Sequence, residues 1–385
     1  MSEIRVNTLG NESNTGGPVL SGITTFSGQQ YFIPPTGTTA ERPSGCPPGS
    51  IRFNTDSAHL EYWNGSVWLE FEASSVELGD HNAGSGESRA GTGTRGVFAG
   101  AYADDAQMEY ISVSNLGNGV SFGDLTGGST WKWLSGVSSQ TRGVFAGGLN
   151  PGYVNTIQFI TFASTGNATN FTDTLSGVRL AMAGMSNGTR GIFAGGQSPG
   201  DDHVAAMDYI TIASTAETTA DFGDLTTDRR NASGLSSSVR GLIAGGQTPS
   251  VVNTIEFITL STLGNTQDFG DLIAANSAIN GCFSNPTRGL LGGGSAGTNL
   301  ISFVTIATTG NAQNFGDLTV IRQEMGGVSS PTRGVFAGGR TAPSSTELNT
   351  LDYVTIPTTG DAIDFGDLAT ARRASGSVSN GHGGL

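Results

Sequence analysis

Apolar and polar residues alternate along much of the chain in segments of about six. Examples are Met108-Glu-Tyr-Ile-Ser-Val, Ile157-Gln-Phe-Ile-Thr-Phe, Met207-Asp-Tyr-Ile-Thr-Ile and Leu351-Asp-Tyr-Val-Thr-Ile. A period of two in β-branched and aromatic residues predicts strands. Each segment follows an apolar run headed by arginine and glycine. Thr94-Arg-Gly-Val-Phe-Ala-Gly returns from Thr141, Thr189, Val239, Thr287 and Thr332, and Arg95, Arg142, Arg190, Arg240, Arg288 and Arg333 recur at intervals of 45 to 50 residues. After each alternating segment comes a Gly-Asn type turn, as in Thr309-Gly-Asn-Ala, and then Phe-Gly-Asp-Leu, worn to Phe171-Thr-Asp-Thr in one copy. That turn predicts a hairpin. The remainder of the period, as in Ile321-Arg-Gln-Glu-Met-Gly-Gly-Val-Ser, reads as a small-residue strand leading into the next copy.

A fixed period decides the architecture before any local reading does. Four strands in each of six copies predict an all-β protein, a six-bladed β-propeller. The carboxy-terminal stretch 369–381 is a first strand with no second strand after it, so it must pair elsewhere. The matching stretch before the first copy, from His81 to Gly93, has no large apolar residue and reads as a linker. The carboxy-terminal strand is therefore expected to complete blade one and close the ring. The alternative is a seventh blade, made from that strand and the hairpin at 51–71. Domain bounds follow as an extended arm at 1–48, a small β-hairpin module at 49–78, a Gly/Ser-rich linker at 79–93 and the propeller at 94–385. The arm has few apolar residues and cannot bury a core alone. Asn64-Gly65 marks the turn of the hairpin module.

Composition narrows the function. Sixty glycines and 13 prolines make the chain loop-rich, and only 13% of its residues are charged. Eighteen basic residues against 32 acidic ones give a net charge of −14, with Lys132 as the sole lysine. That balance argues against nucleic acid and against an anionic membrane as partners. No basic stretch followed by an apolar core opens the chain, and no apolar run reaches about eighteen residues, so neither a secretion signal nor membrane insertion is expected. Cys46 and Cys282 are too far apart in sequence to suggest a framework of bridges.

The repeats resemble the Kelch-type propeller family. A double glycine ending the second strand, an aromatic in the third, a large aromatic in the fourth and an arginine in the next first strand match Gly147-Gly148, Phe159, Phe171 and Arg179, although the family's usual fourth-strand Trp is Phe here. The leader carries a second resemblance. Tyr31-Phe-Ile-Pro-Pro-Thr-Gly-Thr-Thr-Ala-Glu-Arg-Pro, Gly49-Ser-Ile-Arg-Phe-Asn-Thr-Asp and Leu60-Glu-Tyr-Trp-Asn-Gly-Ser-Val-Trp are similar to modules near the amino end of tail-fibre and other structural proteins of tailed bacteriophages, especially cyanobacterial ones. This resemblance implies a virion component made in the host cytoplasm, a homo-oligomer that contacts other virion proteins through residues 1–78. Its propeller would bind host-surface polysaccharide or protein. A purely architectural neck, baseplate or capsid-surface subunit is one alternative; a propeller-based carbohydrate-active enzyme is another.

The inventory for chemistry is thin. His59, His81, His203 and His382 stand at unrelated phases of the repeat, and no phosphate-cradling loop, nucleophile elbow or metal-binding helix is present. The expectation is a protein that is not an enzyme and that carries no cofactor and no metal. The six Thr-Arg-Gly-type arginines and the Phe-Gly-Asp-type aspartates, Asp124, Asp173, Asp224, Asp271, Asp317 and Asp367, occur at one phase of every copy. They read as scaffold, because an arginine fork can bond a carboxylate or several carbonyls at strand ends. Tyr110, Phe159, Tyr209, Phe257, Phe303 and Tyr353 are expected to fill the core between blades. The segments after Gly-Gly differ from copy to copy and should crowd one rim. They give a candidate binding rim of Tyr102, Asp104, Tyr153, Asp201, His203 and Arg340. Trp131-Lys-Trp133 is either core or an exposed stacking platform, with core the expectation.

Overall fold

The computed structural model describes residues 34–57, 59–70, 94–102, 105–215, 219–277, 281–341 and 344–384. The chain divides into two compact units, Met1–Ser74 and Ser75–Leu385. Among the described residues no helix is long and apolar enough to cross a membrane.

The second unit is all-β, and its described residues form six four-stranded antiparallel sheets, a propeller-like architecture. In sheet 3 the strands are Ala183–Ser186, Arg190–Ala194, Ala206–Thr211 and Ala220–Asp224, in that order across the sheet. Sheets 2, 4, 5 and 6 repeat this order, starting at Ser135, Ser233, Cys282 and Gly326. Sheet 1 differs in how it is assembled. Its first strand is Gly376–Ser379 from the chain end, paired antiparallel with Arg95–Ala101 through Val378 opposite Val97. Among the described residues, the hairpin strands Ile51–Asn54, His59–Trp63 and Trp68–Glu70 belong to a sheet of the first unit.

The Arg-Gly-apolar strand is buried on both faces, which explains why it reads as a continuous apolar run. Its glycine is a contact surface for the sheet before it. A Cβ on Gly143 would strike Val378, one on Gly191 would strike Val137, and one on Gly241 would strike Met185. In each case the obstacle is the apolar side chain of the preceding sheet's first strand, so a flat backbone receives a knob. The repeat arginine then ties the sheet forward. Arg142 Nη1 donates to Ile212 O at 2.8 Å, Arg190 to Leu260 O at 2.8 Å, Arg240 to Ile306 O at 2.9 Å and Arg288 to Ile356 O at 3.0 Å. Arg95 reaches Phe162 O from sheet 1 to sheet 2, and Arg333 reaches Val113 O and Ser114 O from sheet 6 to sheet 1. Each guanidinium also lies over its own sheet's aromatic, as Arg190 does over Tyr209 at 4.6 Å and Arg142 over Phe159 at 4.3 Å. Those aromatics meet the outer-strand phenylalanines edge to face, as Phe159 meets Phe171 at 5.5 Å.

A second arginine, four residues after the Phe-Gly-Asp-Leu leucine, forms a buried ion pair inside the sheet. The pairs are Arg179–Asp208, Arg229–Glu256, Arg322–Asp352 and Arg372–Glu109. In the two remaining sheets both partners change together. Sheet 2 has Trp131 with Gln158, and sheet 5 has Asn276 with Ser302. A buried carboxylate without its guanidinium would be an uncompensated charge, so the losses are coupled.

The first unit is a four-stranded sheet in the order Thr36–Gly37, Ile51–Asn54, His59–Trp63, Trp68–Glu70. Asn64 Oδ1 accepts from the Ser66 and Val67 N–H groups at the predicted turn. The boundary expected at residue 48 is corrected: Thr36 pairs with Phe53 in parallel, and the turn at Thr39–Glu41 packs into the unit, so the leader contributes a strand to the hairpin module.

Candidate functional site

The first strands of all six sheets line one channel of about 70 Å³. Its wall is made of two tiers of small residues. One tier holds Gly136, Gly184, Gly234, Cys282, Gly327 and Ser377, and the other holds Ser138, Ser186, Ser236, Ser284, Ser329 and Ser379. The upper tier is small because the strands approach closely: a Cβ on Gly184 would collide with the Gly136 carbonyl oxygen, and one on Gly234 with that of Gly184. The serines are bonded from sheet to sheet. Ser138 N donates to Ser186 Oγ at 3.1 Å, Ser186 N to Ser236 Oγ at 3.4 Å and Ser236 N to Ser284 Oγ at 3.3 Å. Ser329 Oγ donates to Ser284 O at 2.8 Å, Ser329 N to Ser379 Oγ at 3.2 Å and Ser138 Oγ to Ser379 O at 2.8 Å.

The chain end folds across the serine end of this channel. His382 Nδ1 accepts the Gly384 N–H at 3.0 Å, which places the proton of the neutral ring on Nε2, 3.3 Å from Ser138 O and 3.2 Å from Ser186 Oγ. Burial lowers the imidazole pKa to about 4, against the hydrogen bond to the Ser138 carbonyl, which favours the protonated ring. Cys282 faces the channel, as its phase suggests; burial raises its pKa to about 11, and its thiol points at Gly234 O at 3.3 Å. It is a neutral thiol, and both cysteines are free.

The loops after Gly-Gly gather at the opposite end, beside the entries to the first strands. Leu149 bridges to Lys132, Gln197 to Leu180, Gln247 to Arg230, and Arg340 pairs with Gln323. Here the candidate rim residues take their places. Tyr102 is 40% exposed, with the Arg373 guanidinium 3.6 Å and the Lys132 ammonium 4.5 Å from its ring centroid. Arg340 donates to Glu324 Oε1 from two nitrogens, at 3.0 and 2.7 Å. Glu324 also holds Arg373 at 2.9 Å, and Arg373 reaches Glu347 at 3.1 Å. Tyr102 and Arg340 thus belong to one network. Further round, Gln197 Nε2 donates to Tyr153 Oη at 2.9 Å and to Asp201 Oδ1 at 2.6 Å, while Arg230 pairs with Asp201. His203 closes the hairpin from Gln197, and its buried Nε2 has no hydrogen-bond partner. Asp104 lies outside the described residues.

The expectation for Trp131-Lys-Trp133 divides between its residues. Trp131 is 2% exposed and its Nε1 donates to Thr126 O at 3.1 Å. Trp133 is half-buried, with φ +61°, at the channel entrance, where Ala181, Asn231, Glu324 and Ala374 share the same left-handed backbone. The repeat arginines bond carbonyls, not the Phe-Gly-Asp aspartates. Asp124, Asp224, Asp271, Asp317 and Asp367 instead donate their backbone N–H groups to the side-chain Oδ1 atoms of Asn167, Asn265, Asn311, Asp361 and Asn118 in the next sheet. Asp173 accepts the Thr219 N–H through its carboxylate.

Sequence reasoning missed Arg230, Glu324, Glu347 and Arg373. Its signal was available in the doubled Arg229-Arg230 and Arg372-Arg373, where the first arginine is buried and the second surfaces at the rim. The rim offers fixed guanidinium, carboxylate, amide and aromatic groups, a set suited to hydroxyl-rich or mixed-charge ligands. Among the described residues no three His, Cys, Asp or Glu side chains are grouped to hold a metal ion. No protein-family model matches the chain, and no curated protein matches it either.

Proposed function

We propose that the six sheets are the blades of a closed, Kelch-like six-bladed propeller, and that the protein is a phage virion component whose propeller displays a ligand-binding rim. Two sets of bonds support closure: the arginine links and the serine links each pass through all six sheets and return to sheet 1. The function rests on one observation. The variable loops carry two polar networks at the channel end away from His382, one of Tyr102, Arg373, Glu324 and Arg340 and one of Tyr153, Gln197, Asp201 and Arg230. The small first unit, similar in sequence to phage leader modules, would supply attachment to other virion proteins. The rim is the binding surface for a host-surface polysaccharide or protein, since stacked aromatics and forked cations recognise such ligands.

The test is to measure binding of the whole chain to host cells and to isolated envelope polysaccharide, with Tyr102→Ala and Arg373→Ala as variants, alongside antibody labelling of intact particles. Binding that drops at least tenfold in both variants, with labelling at an exposed position, supports the reading. Absence of the protein from particles removes the virion assignment. Presence without host binding leaves the architectural subunit, and loss of polymer length on incubation identifies the enzyme.

A further inference from the structure

The serine tier of the channel follows a bonding rule that the segment 381–384 interrupts. At three junctions a serine hydroxyl donates to the carbonyl of the preceding sheet's serine: Ser284 Oγ to Ser236 O at 2.6 Å, Ser329 Oγ to Ser284 O at 2.8 Å and Ser138 Oγ to Ser379 O at 2.8 Å. Among the described residues, Ser186, Ser236 and Ser379 make no such bond, and their Oγ atoms accept an N–H from the preceding sheet. For Ser186 and Ser236 the carbonyl concerned is the one that the segment covers. His382 Nε2 sits 3.3 Å from Ser138 O, and Gly384 lies so close to Ser186 O that a Cβ there would collide with it. A Cβ on Gly383 would strike the Asn285 and Ser236 carbonyl oxygens.

The segment is nevertheless held lightly. Asn380 clamps the end of the strand before it, with Oδ1 accepting the Arg95 N–H at 2.7 Å and its own N–H reaching Arg95 O at 3.3 Å. Beyond Asn380, among the described residues, the hydrogen bonds to the sheets are those of His382 Nε2 alone, with Ser138 O and Ser186 Oγ. The Gly384 N–H bonds back to His382 itself. Three of the four residues are glycine, which loses the most conformational freedom on being ordered.

We infer that residues 381–384 are a displaceable plug of the channel, hinged at Gly381, which swings off the serine tier while the strand ending at Asn380 stays in place. A carbonyl left buried without a donor would oppose that movement. Here the replacement donors already stand beside the vacated acceptors. A hydroxyl proton rotates to suit its surroundings, so Ser186 Oγ turns to Ser138 O and Ser236 Oγ to Ser186 O, extending the rule of the other sheets. The closed state gains the burial of Gly383 and Gly384, and the open state frees a glycine-rich strap, a balance typical of segments that open locally. Opening admits molecules from the serine end to the channel and to its Cys282 thiol. The inference is independent of the host-binding reading of the rim.

Labelling of Cys282 in the full chain tests it, on a Cys46→Ser background that leaves one thiol, with methyl methanethiolsulfonate as a small neutral probe. His382→Ala removes the bonds of the closed state and should accelerate labelling at least tenfold while keeping a cooperative urea transition. Ser236→Ala removes the donor that serves the open state and should slow labelling at least threefold. A substitution that merely loosened the sheets would do the opposite, so the pair separates a plug from general destabilisation. Both shifts together support the inference. Labelling indifferent to either substitution, or accelerated by Ser236→Ala, overturns it.

Discussion

Arg190 shows how one side chain serves two sheets. Its guanidinium lies over Tyr209 in sheet 3 and donates to Leu260 O in sheet 4. Arg190→Ala removes a charge-assisted bond and a cation–π contact and should cost about 1–3 kcal/mol in urea denaturation. An unchanged midpoint would mean that the link contributes nothing. His382 is a second residue with a readable consequence. Its pKa is lowered from 6.5 to about 4 in the folded chain. The unfolded state therefore takes up a proton first as pH falls, so stability declines from about pH 6.5 and this contribution is gone below about pH 4. Among the described residues, no charged side chain lines the channel to offset the effect. His382→Asn should flatten the stability profile between those limits by about 1–3 kcal/mol, and parallel profiles would show that the ring is solvated.

Within the sheet, the coupled loss of arginine and acid is the informative feature. Sheet 5 has a cavity of about 30 Å³ lined by Asn276, Gly293, Leu300 and Ser302, where sheets 1, 3, 4 and 6 place an ion pair. Asn276 Nδ2 holds Gly293 O at 2.7 Å, much as Arg322 Nη1 holds Gly338 O at 2.9 Å in sheet 6. Asn276→Arg or Ser302→Asp alone buries an unpaired charge and should destabilise by about 3–5 kcal/mol. Together they rebuild the pair found elsewhere, and a double-mutant cycle should return a favourable coupling of at least about 2 kcal/mol. Additive effects would show that sheet 5 does not share the geometry of its neighbours.

For the molecule as a whole, the chain end carries several duties at once. Residues 369–385 supply the first strand of sheet 1, the Arg372–Glu109 pair, Arg373 at the rim and the His382 cap. Deleting them uncovers the edge of Arg95–Ala101 and leaves Glu109 buried without its cation. The expected outcome is aggregation or loss of cooperative unfolding. A truncated chain that melts at the wild-type temperature would mean that sheet 1 does not depend on its carboxy-terminal strand.

The sequence by itself determined what repeats. Period-two alternation, the arginine and glycine opening each second strand and the Gly-Asn turns specified strand type, sheet size and copy number, because each is a local steric or burial requirement met again at every copy. The lone terminal strand also pointed to its partner, since an unpaired first strand and a sheet lacking one must satisfy each other. Other properties arise between segments distant in sequence and leave no periodic trace. Only the tertiary structure paired the repeat arginines with carbonyls of the next sheet instead of the aspartates, joined Tyr102, Arg373, Glu324 and Arg340 at one rim, and brought His382 under Ser138. It also decided which face of the Ile51–Asn54, His59–Trp63 sheet is covered, because alternation gives two faces and only the packing of residues 38–42 chooses between them.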